Sequence, residues 1–444
     1  MNRILIGTMP FVGHVNPILP IAGELVSRGH DVRWFTGSQF REKIEALGAR
    51  YVPMPNAVGL QDDAWKRRYP QAAAMKPLDQ LRFAIKHVFV DSAAEHVYDL
   101  MAILDEEPAD VILADSSFTA AGLLHESGGP PWAAFNTLPL TLSSRDTAPF
   151  GLGLPPSASA PGRWRNRLLQ VLFERVVFKD TIAYADRVRA GLGLPPSGRF
   201  IFDAALSPYL YLQGTVPAFE YPRSDLPPQV HFVGPSLPPP PARFDPPKWW
   251  DELLAARATG RPVVHVTQGT VATEASQLLA PTVRALTGSD ALVVATTGGK
   301  PVDALGPGPL PANTRVAPFV PHALLLPFVD AMVTNAGYNG VQVALAHGVP
   351  LIAAGRSEDK PEVAARIAWS GVGIDLRTAT PSEARLRRAV GKVLADGRYR
   401  DRARAMARAM AGYDAPRRSA DLLERLIATG RPVRADAPGR PTPS

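Results

Sequence analysis

Two polar residues occupy positions where the ends of parallel strands would bring them together. Gly13 and His14 follow the apolar run Ile4–Ile6, and Asp115 ends a second apolar run, Val111–Ala114. Ligands of open α/β sheets bind beyond the carboxyl ends of the strands. We therefore expect His14 and Asp115 to share one sheet edge, where a neutral imidazole can accept a proton and a carboxylate can orient it. The alternative for an isolated histidine is a capping or packing role.

A glycine loop opens a helix in the second half of the chain. The segment from Thr334 to Pro350 reads as a strand, a loop from Asn335 to Gly340, a helix and a stop at Gly348. A loop of this kind exposes backbone N–H groups and the positive end of the helix dipole, which suits a phosphate. The alternative is an ordinary turn between a strand and a helix.

Several common catalytic and cofactor signatures are missing from the sequence. It has no G-x-G-x-x-G after the first strand, no G-x-x-x-x-G-K-[ST], no G-x-S-x-G and no H-E-x-x-H. It contains no Cys, which excludes disulfides, cysteine-ligated zinc, iron–sulfur clusters and thiol catalysis. Because no D-x-D pair is present either, we predict chemistry without a metal or cofactor.

The elements that must position these residues follow an α/β rhythm. Asn16-Pro17 is a helix start, Gly29 is its stop, and Val32–Phe35 restarts a strand. A strand, helix and strand in this order predict a parallel sheet. The second half repeats the pattern, with strands predicted over 263–267, 291–296, 315–319 and 331–334.

A proline-rich segment divides the chain into two halves of comparable length. We predict an N-terminal domain over residues 1–232, a stiff linker over 233–250, a C-terminal domain over 251–430 and a disordered tail over 431–444. A cleft between two such domains is a preferred place for a ligand.

The composition is that of a globular protein rather than a disordered or membrane-spanning chain. Of the 444 residues, 46% are apolar and 20% are charged, and no apolar run is long enough to cross a bilayer. With no signal-peptide pattern at its start, the protein is expected in the cytoplasm. The net charge of +7 comes largely from arginines between 385 and 408, read as solvated faces of amphipathic helices rather than a nucleic-acid site. A patch facing a membrane is the alternative.

Six sequence motifs together resemble those of the family 1 glycosyltransferases, above all the bacterial members that act on lipids, macrolides and other natural products. The likeness covers nearly the whole chain and is weakest between residues 60 and 230. It implies an α/β fold of the GT-B type, with two Rossmann-like doubly wound parallel-sheet domains facing across a cleft. The acceptor lies mainly on the first domain and the donor on the second. The motifs are Gly13–Pro17, Glu24–Val32, Pro318–His322, Asn335–Asn339, Ala344–Pro350 and Glu358–Lys360.

The resemblance implies an inverting, metal-independent transfer of a sugar from a UDP or dTDP donor to a hydroxyl of a hydrophobic acceptor. His14 matches the family's general base, and Asp115 matches its partner by position. No cofactor is implied beyond the nucleotide sugar. The donor-binding residues carried over are Gly13, Gly269, Thr270, Phe319, Val320, Asn335, Ala336, Gly337, Tyr338, Asn339, Gly340, Glu358, Asp359 and Lys360.

Three positions depart from the family pattern on the donor side. Asn335 replaces a histidine that touches the diphosphate, and Val343 replaces a glutamate that binds the ribose, a role open to Gln342. Lys360 replaces a glutamine on the sugar hydroxyls and cannot accept a hydrogen bond. An ion pair of Lys360 with Asp359 or Glu358 on the surface is the alternative.

Two other functions remain open beside the transferase. A nucleotide-sugar-binding partner protein without catalysis would explain the three departures, and a sugar-nucleotide epimerase uses the same fold. Helices around Phe83, Phe89 and Phe173 form either an apolar pocket for a lipid, phenol or polyketide acceptor or an ordinary core. We expect a monomer or homodimer, with a peripheral contact to the inner membrane face open.

Overall fold

Two parallel β-sheets organise the chain. The computed structural model describes residues 1–55, 68–239, 241, 243–269, 275–301, 305 and 309–435. The first sheet has the strand order β3-β2-β1-β4-β5-β6-β7 and the second has the order β10-β9-β8-β11-β12-β13, both of parallel strands. The strands are Arg3–Gly7, Asp31–Thr36, Arg50–Pro53, Val111–Asp115, Trp132–Asn136, Leu210–Gln213, Val230–Phe232, Val263–Thr267, Leu292–Thr296, Thr314–Ala317, Ala331–Thr334, Leu351–Ala353 and Gly373–Asp375, numbered β1 to β13.

Helices cover both faces of each sheet, as the alternation of strands and helices predicts. Two single π-helical turns, Ile85–Val90 and Phe173–Val177, interrupt the helical segments of the first domain. The described α-helices, numbered α1 to α16, are Val12–Val15, Leu19–Ser27, Arg41–Glu45, Pro77–Ala84, Asp91–Glu106, Ala120–Glu126, Ala160–Leu172, Lys179–Gly191, Trp250–Thr259, Leu279–Leu286, His322–Leu325, Tyr338–Ala346, Lys360–Trp369, Glu383–Ala395, Gly397–Ala411 and Ala415–Thr429.

The central strands form the cores because they are apolar on both faces. Ile4, Leu5 and Ile6 in β1 are fully buried, and β4 runs beside β1 with Gly7 opposite Ala114. Strands buried on both sides lack the alternation that marks a half-exposed strand. The predicted strands of the second half appear within two residues of their expected ends, and the α/β fold class is confirmed.

The predicted helix start at Asn16-Pro17 is wrong. The chain first makes the short helix α1, which ends at Val15 with Asn16 as its C-cap, and α2 begins only at Leu19. Asn16 has helical backbone angles, so its side chain does not cap α2. The predicted stop at Gly29 is confirmed, with φ of 80°.

The last helix belongs to the first domain, although the sequence placed residues 415–429 in the second. Leu423 and Leu426 of α16 are fully buried in the core that contains β1 and α2. Arg28 of α2 donates hydrogen bonds to Asp421 at 2.7 Å and Glu424 at 3.0 Å. The chain thus crosses back between the domains after α15.

Residues 431–435, the first part of the predicted disordered tail, pack against the first domain. Val433 is buried in the first domain, and its N–H donates to the carbonyl of Tyr209 at 2.9 Å. The carbonyl of Val433 in turn lies 3.0 Å from His231 Nε2. Residues 436–444 of that prediction lie outside the described residues.

The proline-rich segment packs against the domains instead of spanning free solvent. The N–H of Gly234 donates to the carbonyl of Thr215 at 3.0 Å, and Trp249 Nε1 donates to the carbonyl of Val316 at 3.2 Å. A Cβ on Gly234 would lie 2.3 Å from Tyr413 Cβ, so only glycine fits there. These contacts therefore fix the path of the linker along both domains.

Several arginines of the C-terminal stretch make hydrogen bonds and ion pairs within the second domain. Arg387 Nε donates to the carbonyl of Ala285 at 2.7 Å, and Arg400 pairs with Asp330 at 2.9 Å. These contacts fit solvated, amphipathic helices. In the part of the chain that is described, no helix has the length and apolar character needed to cross a bilayer.

Candidate active site

His14 and Asp115 meet at the carboxyl edge of the first sheet, as predicted. His14 lies on α1, directly after β1, and Asp115 is the last residue of the neighbouring strand β4. His14 Nδ1 lies 2.8 Å from Asp115 Oδ1. The ends of two adjacent parallel strands therefore produce the pair that the sequence suggested.

Backbone amides hold the Asp115 carboxylate in one orientation. Its Oδ2 accepts the N–H of Met9 at 2.6 Å, and its Oδ1 accepts the N–H of Ser117 at 2.8 Å. The Asp115 side chain is fully buried, whereas that of His14 keeps 15% of its surface exposed. His14 Nε2 makes no hydrogen bond within the described part of the chain, so it is free to take a proton from a substrate.

An aromatic wall lies beside the imidazole. The ring of Phe11 meets His14 edge to face, with centroids 5.3 Å apart, and meets Phe89 in the same way at 6.2 Å. Phe89 lies in the π-helical turn Ile85–Val90, a departure from α-helix that is frequent at functional sites. Phe11 is buried and Phe89 is half-buried, so the imidazole has apolar side chains along one side.

The three phenylalanines for which the sequence left a pocket and an ordinary core open belong to two clusters. Phe83 and Phe89 pack against the core of the first sheet, whereas Phe173 packs on Phe178 with ring centroids 5.8 Å apart. All three residues thus pack in cores, as the second of the two interpretations expects, and an acceptor pocket beside them stays a prediction. Sequence periodicity marks each residue as apolar but does not say which neighbour it meets.

The donor-side segments converge at the carboxyl edge of the second sheet. Gly269 follows β8, Phe319 follows β10, Asn335 follows β11 and Asp359 follows β12. This edge faces the first domain, because Asn339 Nδ2 donates to the carbonyl of Gly13 at 3.1 Å. The two predicted halves of the site thus lie across one cleft.

The glycine loop has the form of an anion site. Gly337 precedes α12, and no described side chain caps this helix, so its first N–H groups remain available to a ligand. Ala336 is held at φ of 65°, a strained value for a residue with a Cβ. Gly340 belongs to the first turn. Gly269 lies beside the loop, since a Cβ there would be 3.9 Å from Asn335 Oδ1.

Three side chains of the predicted donor set point elsewhere. Tyr338 is buried against Phe219, and its hydroxyl accepts from Gln213 Nε2 at 3.4 Å. Val320 is buried in the core, so only its backbone can meet a ligand, whereas Phe319 is exposed. Asn335 Nδ2 donates to the carbonyl of Gln268, an internal bond.

Two further positions complete the account of the donor side. Gln342 cannot take over the ribose contact, because it is buried and bonds Gly214 and Thr215 of the first domain at 2.7 and 3.0 Å. Thr270 lies outside the described residues. Val343 is itself part of the core.

Lys360 is a buried lysine rather than a surface one. Its Nζ pairs with Glu358 and donates to Ser357 Oγ at 3.0 Å, which uses two of its three donors. Glu358 adopts φ of 56°, a second strained residue in the donor loops. Lys360 keeps one N–H for a sugar hydroxyl, and Glu358 remains exposed as an acceptor.

Asp359 lies within electrostatic range of His14 of the first domain. Burial raises the pKa of Asp359 to about 6, with Lys360 and His14 lowering it and Glu358 raising it further. The residue ends the loop after β12, directly before α13. Ionisation of Asp359 is unfavourable in the free protein. A sugar hydroxyl that donates a hydrogen bond to the Asp359 carboxylate would stabilise its ionised form.

Replacing Asp359 by Asn is expected to stabilise the free protein at pH 7 while weakening donor binding. A carboxyl with a raised pKa destabilises the fold once ionised, so the unmutated protein loses stability as pH rises from about 4 through 6. Asp359→Asn should therefore gain about 2–3 kcal/mol above pH 6 and almost nothing at pH 4. Thermal unfolding at several pH values measures this. An equal gain at every pH, or a gain in the control Asp105→Asn, would refute the assignment.

A buried charge cluster that the sequence analysis missed joins the two domains. Arg366 of α13 donates to Glu220 at 2.9 Å and to Glu362 at 2.8 Å, and all three side chains are nearly fully buried. Glu362 Oε1 also accepts the N–H groups of Gly151 and Gly153 at 2.9 and 2.7 Å. The cluster ties the helix that follows Asp359 to a loop of the first domain.

A second missed connection runs from the His14–Asp115 pair to the glycine loop. Ser116, next to Asp115, donates to Asn136 at 2.7 Å, and Asn136 donates to Gln213 Oε1 at 2.8 Å. Gln213 then reaches the Tyr338 hydroxyl. Within the described residues, no group of three His, Asp or Glu side chains is placed to hold a metal ion.

Known proteins similar to this chain are glycosyltransferases. Residues 280–426 match the family model "Erythromycin biosynthesis protein CIII-like, C-terminal domain". The chain is 49% identical to 4'-demethylrebeccamycin synthase of Lentzea aerocolonigenes, over 96% of this chain and 99% of that protein. It is 34% identical to UDP-glucosyltransferase 1 of Beauveria bassiana, over 90% of each. The crystal structure of the glycosyltransferase of kitacinnamycin aligns with a TM-score of 0.74 at 23% identity, over 96% of this chain and 99% of that one.

Proposed function

The chain belongs to the family 1 glycosyltransferases of GT-B fold, and we propose that it moves a sugar from a nucleoside diphosphate to a hydrophobic acceptor with inversion of the anomeric centre. The observation that carries the proposal is the His14–Asp115 pair, 2.8 Å apart, with Nε2 open to the cleft. A silent binding protein would have no need of an oriented base, and an epimerase, which binds no acceptor, would have no need of an apolar wall beside it.

In the proposed reaction, His14 Nε2 takes the proton of an acceptor hydroxyl as its oxygen attacks the anomeric carbon. The bond from that carbon to the diphosphate oxygen breaks on the opposite face, and the electron pair leaves with the diphosphate. Asp115 holds the tautomer with a proton on Nδ1 and stabilises the imidazolium that forms.

The second domain would stabilise the leaving group with dipoles. The N–H groups of the first turn of α12, which no described side chain caps, would face the diphosphate, and no step requires a metal. Phe319 is two-thirds exposed and available to stack on a nucleotide base. Asp359, Glu358 and Lys360 would bind the sugar hydroxyls, with UDP and dTDP both compatible.

The aromatic wall favours a flat apolar acceptor, such as a phenol, polyketide or lipid. Similarity to 4'-demethylrebeccamycin synthase supports a natural product. We expect Phe89→Ala to raise the acceptor KM about 5- to 150-fold, from the loss of about 1–3 kcal/mol of aromatic contact, with little change in donor KM. Steady-state kinetics with each substrate varied measure this. Phe244→Ala, which removes a half-buried ring that packs on Trp250 in the proline-rich segment, is the matched control, and a larger effect there would place the acceptor elsewhere.

A screen of nucleotide sugars against mixed hydrophobic acceptors, read by mass spectrometry, tests the proposed function. A glycosylated acceptor with inverted anomeric configuration by NMR supports it. Nucleotide binding without turnover across the panel favours the silent partner protein. An epimerised sugar nucleotide released without acceptor favours the epimerase.

A further inference from the structure

One helix of the first domain carries its apolar side chains on the outside. Side chains of α7 and the π-helical turn after it are 40–67% exposed: Trp164, Leu168, Val171, Leu172 and Val176. Four of these recur every fourth residue and so share one helix face. We call these five residues the apolar stripe. Single exposed apolar residues are ordinary, but a contiguous row marks an interaction surface.

The face of α7 that meets the protein is polar. Asn166 is buried and donates to the carbonyl of Arg145 at 3.1 Å, and Gln170 donates to Ser143 Oγ at 2.8 Å. Arg163 pairs with Asp146 at 2.7 Å. This arrangement inverts the usual amphipathic helix, whose apolar face is buried. The exposed apolar stripe is therefore not the edge of an apolar face that packs into the core.

Unpaired cations accompany the stripe. Arg167, Arg175 and Lys179 are exposed and form no hydrogen bond or ion pair with any described residue. The acidic side chains nearby are engaged, since Glu174 accepts from Gln170 and Asp180 pairs with Arg82 and Lys86. The surface is thus apolar and cationic together.

We propose that the apolar stripe docks on the interface of a lipid bilayer that contains anionic headgroups. Trp164 and the aliphatic side chains would enter the boundary between headgroups and acyl chains, and the three cations would meet lipid phosphates. A second copy of the chain fits less well, because a two-fold contact would bring the same cations face to face.

Docking at this place would put the aromatic wall of Phe11 and Phe89 beside the membrane. Phe173 and Val177 of the π-helical turn pack on a cluster that includes Ile85 and Val90, which bracket Phe89. A hydrophobic acceptor dissolved in lipid would then enter from the bilayer. This consequence rests on the proposed function, whereas the docking itself does not.

Vesicle co-sedimentation of the full chain tests the docking without any activity measurement. We expect binding to vesicles of phosphatidylcholine with about a third phosphatidylglycerol, weakened by salt, and much less binding to phosphatidylcholine alone. Trp164→Ser with Leu168→Ser should weaken binding at least about tenfold, as should Arg167→Gln with Arg175→Gln and Lys179→Gln. All five positions are exposed, so these variants should keep the melting temperature.

Two matched controls locate the surface. Leu254→Ser with Trp369→Ser removes exposed apolar residues elsewhere, and Arg385→Gln with Arg388→Gln and Arg408→Gln removes cations of the C-terminal helices. Both controls should bind as the unmutated chain does. Absence of binding to anionic vesicles, or unchanged binding of the stripe variants, would overturn the proposal. A dimer without lipid that Trp164→Ser with Leu168→Ser converts to a monomer would assign the stripe to a second copy instead.

Discussion

Replacing His14 by Ala is expected to lower kcat about 10²- to 10⁴-fold, the usual contribution of a positioned general base. The donor KM should change little, because the donor binds mainly to the loops of the second domain. His14 is partly exposed and bonds only Asp115 among the described residues, so the melting temperature should hold. Steady-state kinetics with saturating donor and acceptor, together with thermal unfolding, measure both expectations.

Asp115→Asn should follow His14→Ala in direction, because an amide cannot hold the same histidine tautomer. His30 offers a matched control, since its Nε2 lies 2.8 Å from Glu424 in another histidine–carboxylate pair away from the cleft. His30→Ala should leave kcat unchanged. If His14→Ala kept kcat within about threefold of the unmutated enzyme, the base would have to be another group.

Replacing Arg366 by Met is expected to lower the free energy of unfolding by about 3–5 kcal/mol, because it leaves two carboxylates buried without their cation. Burial would lower the pKa of Arg366, but Glu220 and Glu362 raise it above its ordinary value, so the side chain is charged. Glu362 also holds the N–H groups of Gly151 and Gly153, so the loop of the first domain should loosen as well. Chemical denaturation measures the stability.

Arg400→Met is the control for this variant. Arg400 pairs with Asp330 at 2.9 Å near the surface, where an ion pair contributes about 0–1 kcal/mol. Adding Glu220→Gln and Glu362→Gln to Arg366→Met should recover much of the lost stability, because no buried charge is then unpaired. A loss no greater than that of Arg400→Met would show that the cluster does not hold the domains together.

The sequence was sufficient for contacts that follow from strand ends. His14 and Asp115 meet because β1 and β4 are adjacent, and the donor loops converge because β8, β11 and β12 end at one edge. Parallel topology therefore carries information about a site that no single motif contains. The glycine loop, too, is identified as a candidate phosphate site because it follows β11 at this edge.

Contacts that depend on how two surfaces pack could not be predicted. Glu220 and Arg366 are 146 residues apart, and only the i, i+4 spacing of Glu362 and Arg366 was visible beforehand. That the side chain of Tyr338 packs at the contact between the domains could not be predicted for the same reason. The periodicity of residues 160–172 shows an amphipathic helix but does not say which face is buried.

The return of α16 to the first domain sets the order in which the protein can be completed. The first half leaves the ribosome long before residues 415–435, yet Leu423, Leu426 and Val433 fill part of its core. That domain must wait, with an open apolar surface, until the second has been made. A hybrid enzyme that exchanges donor domains at the proline-rich segment would therefore give each first domain a foreign final helix. If the exchanged segment instead begins at the proline-rich segment and stops at the loop before Asp414, each first domain keeps its own α16 in its core.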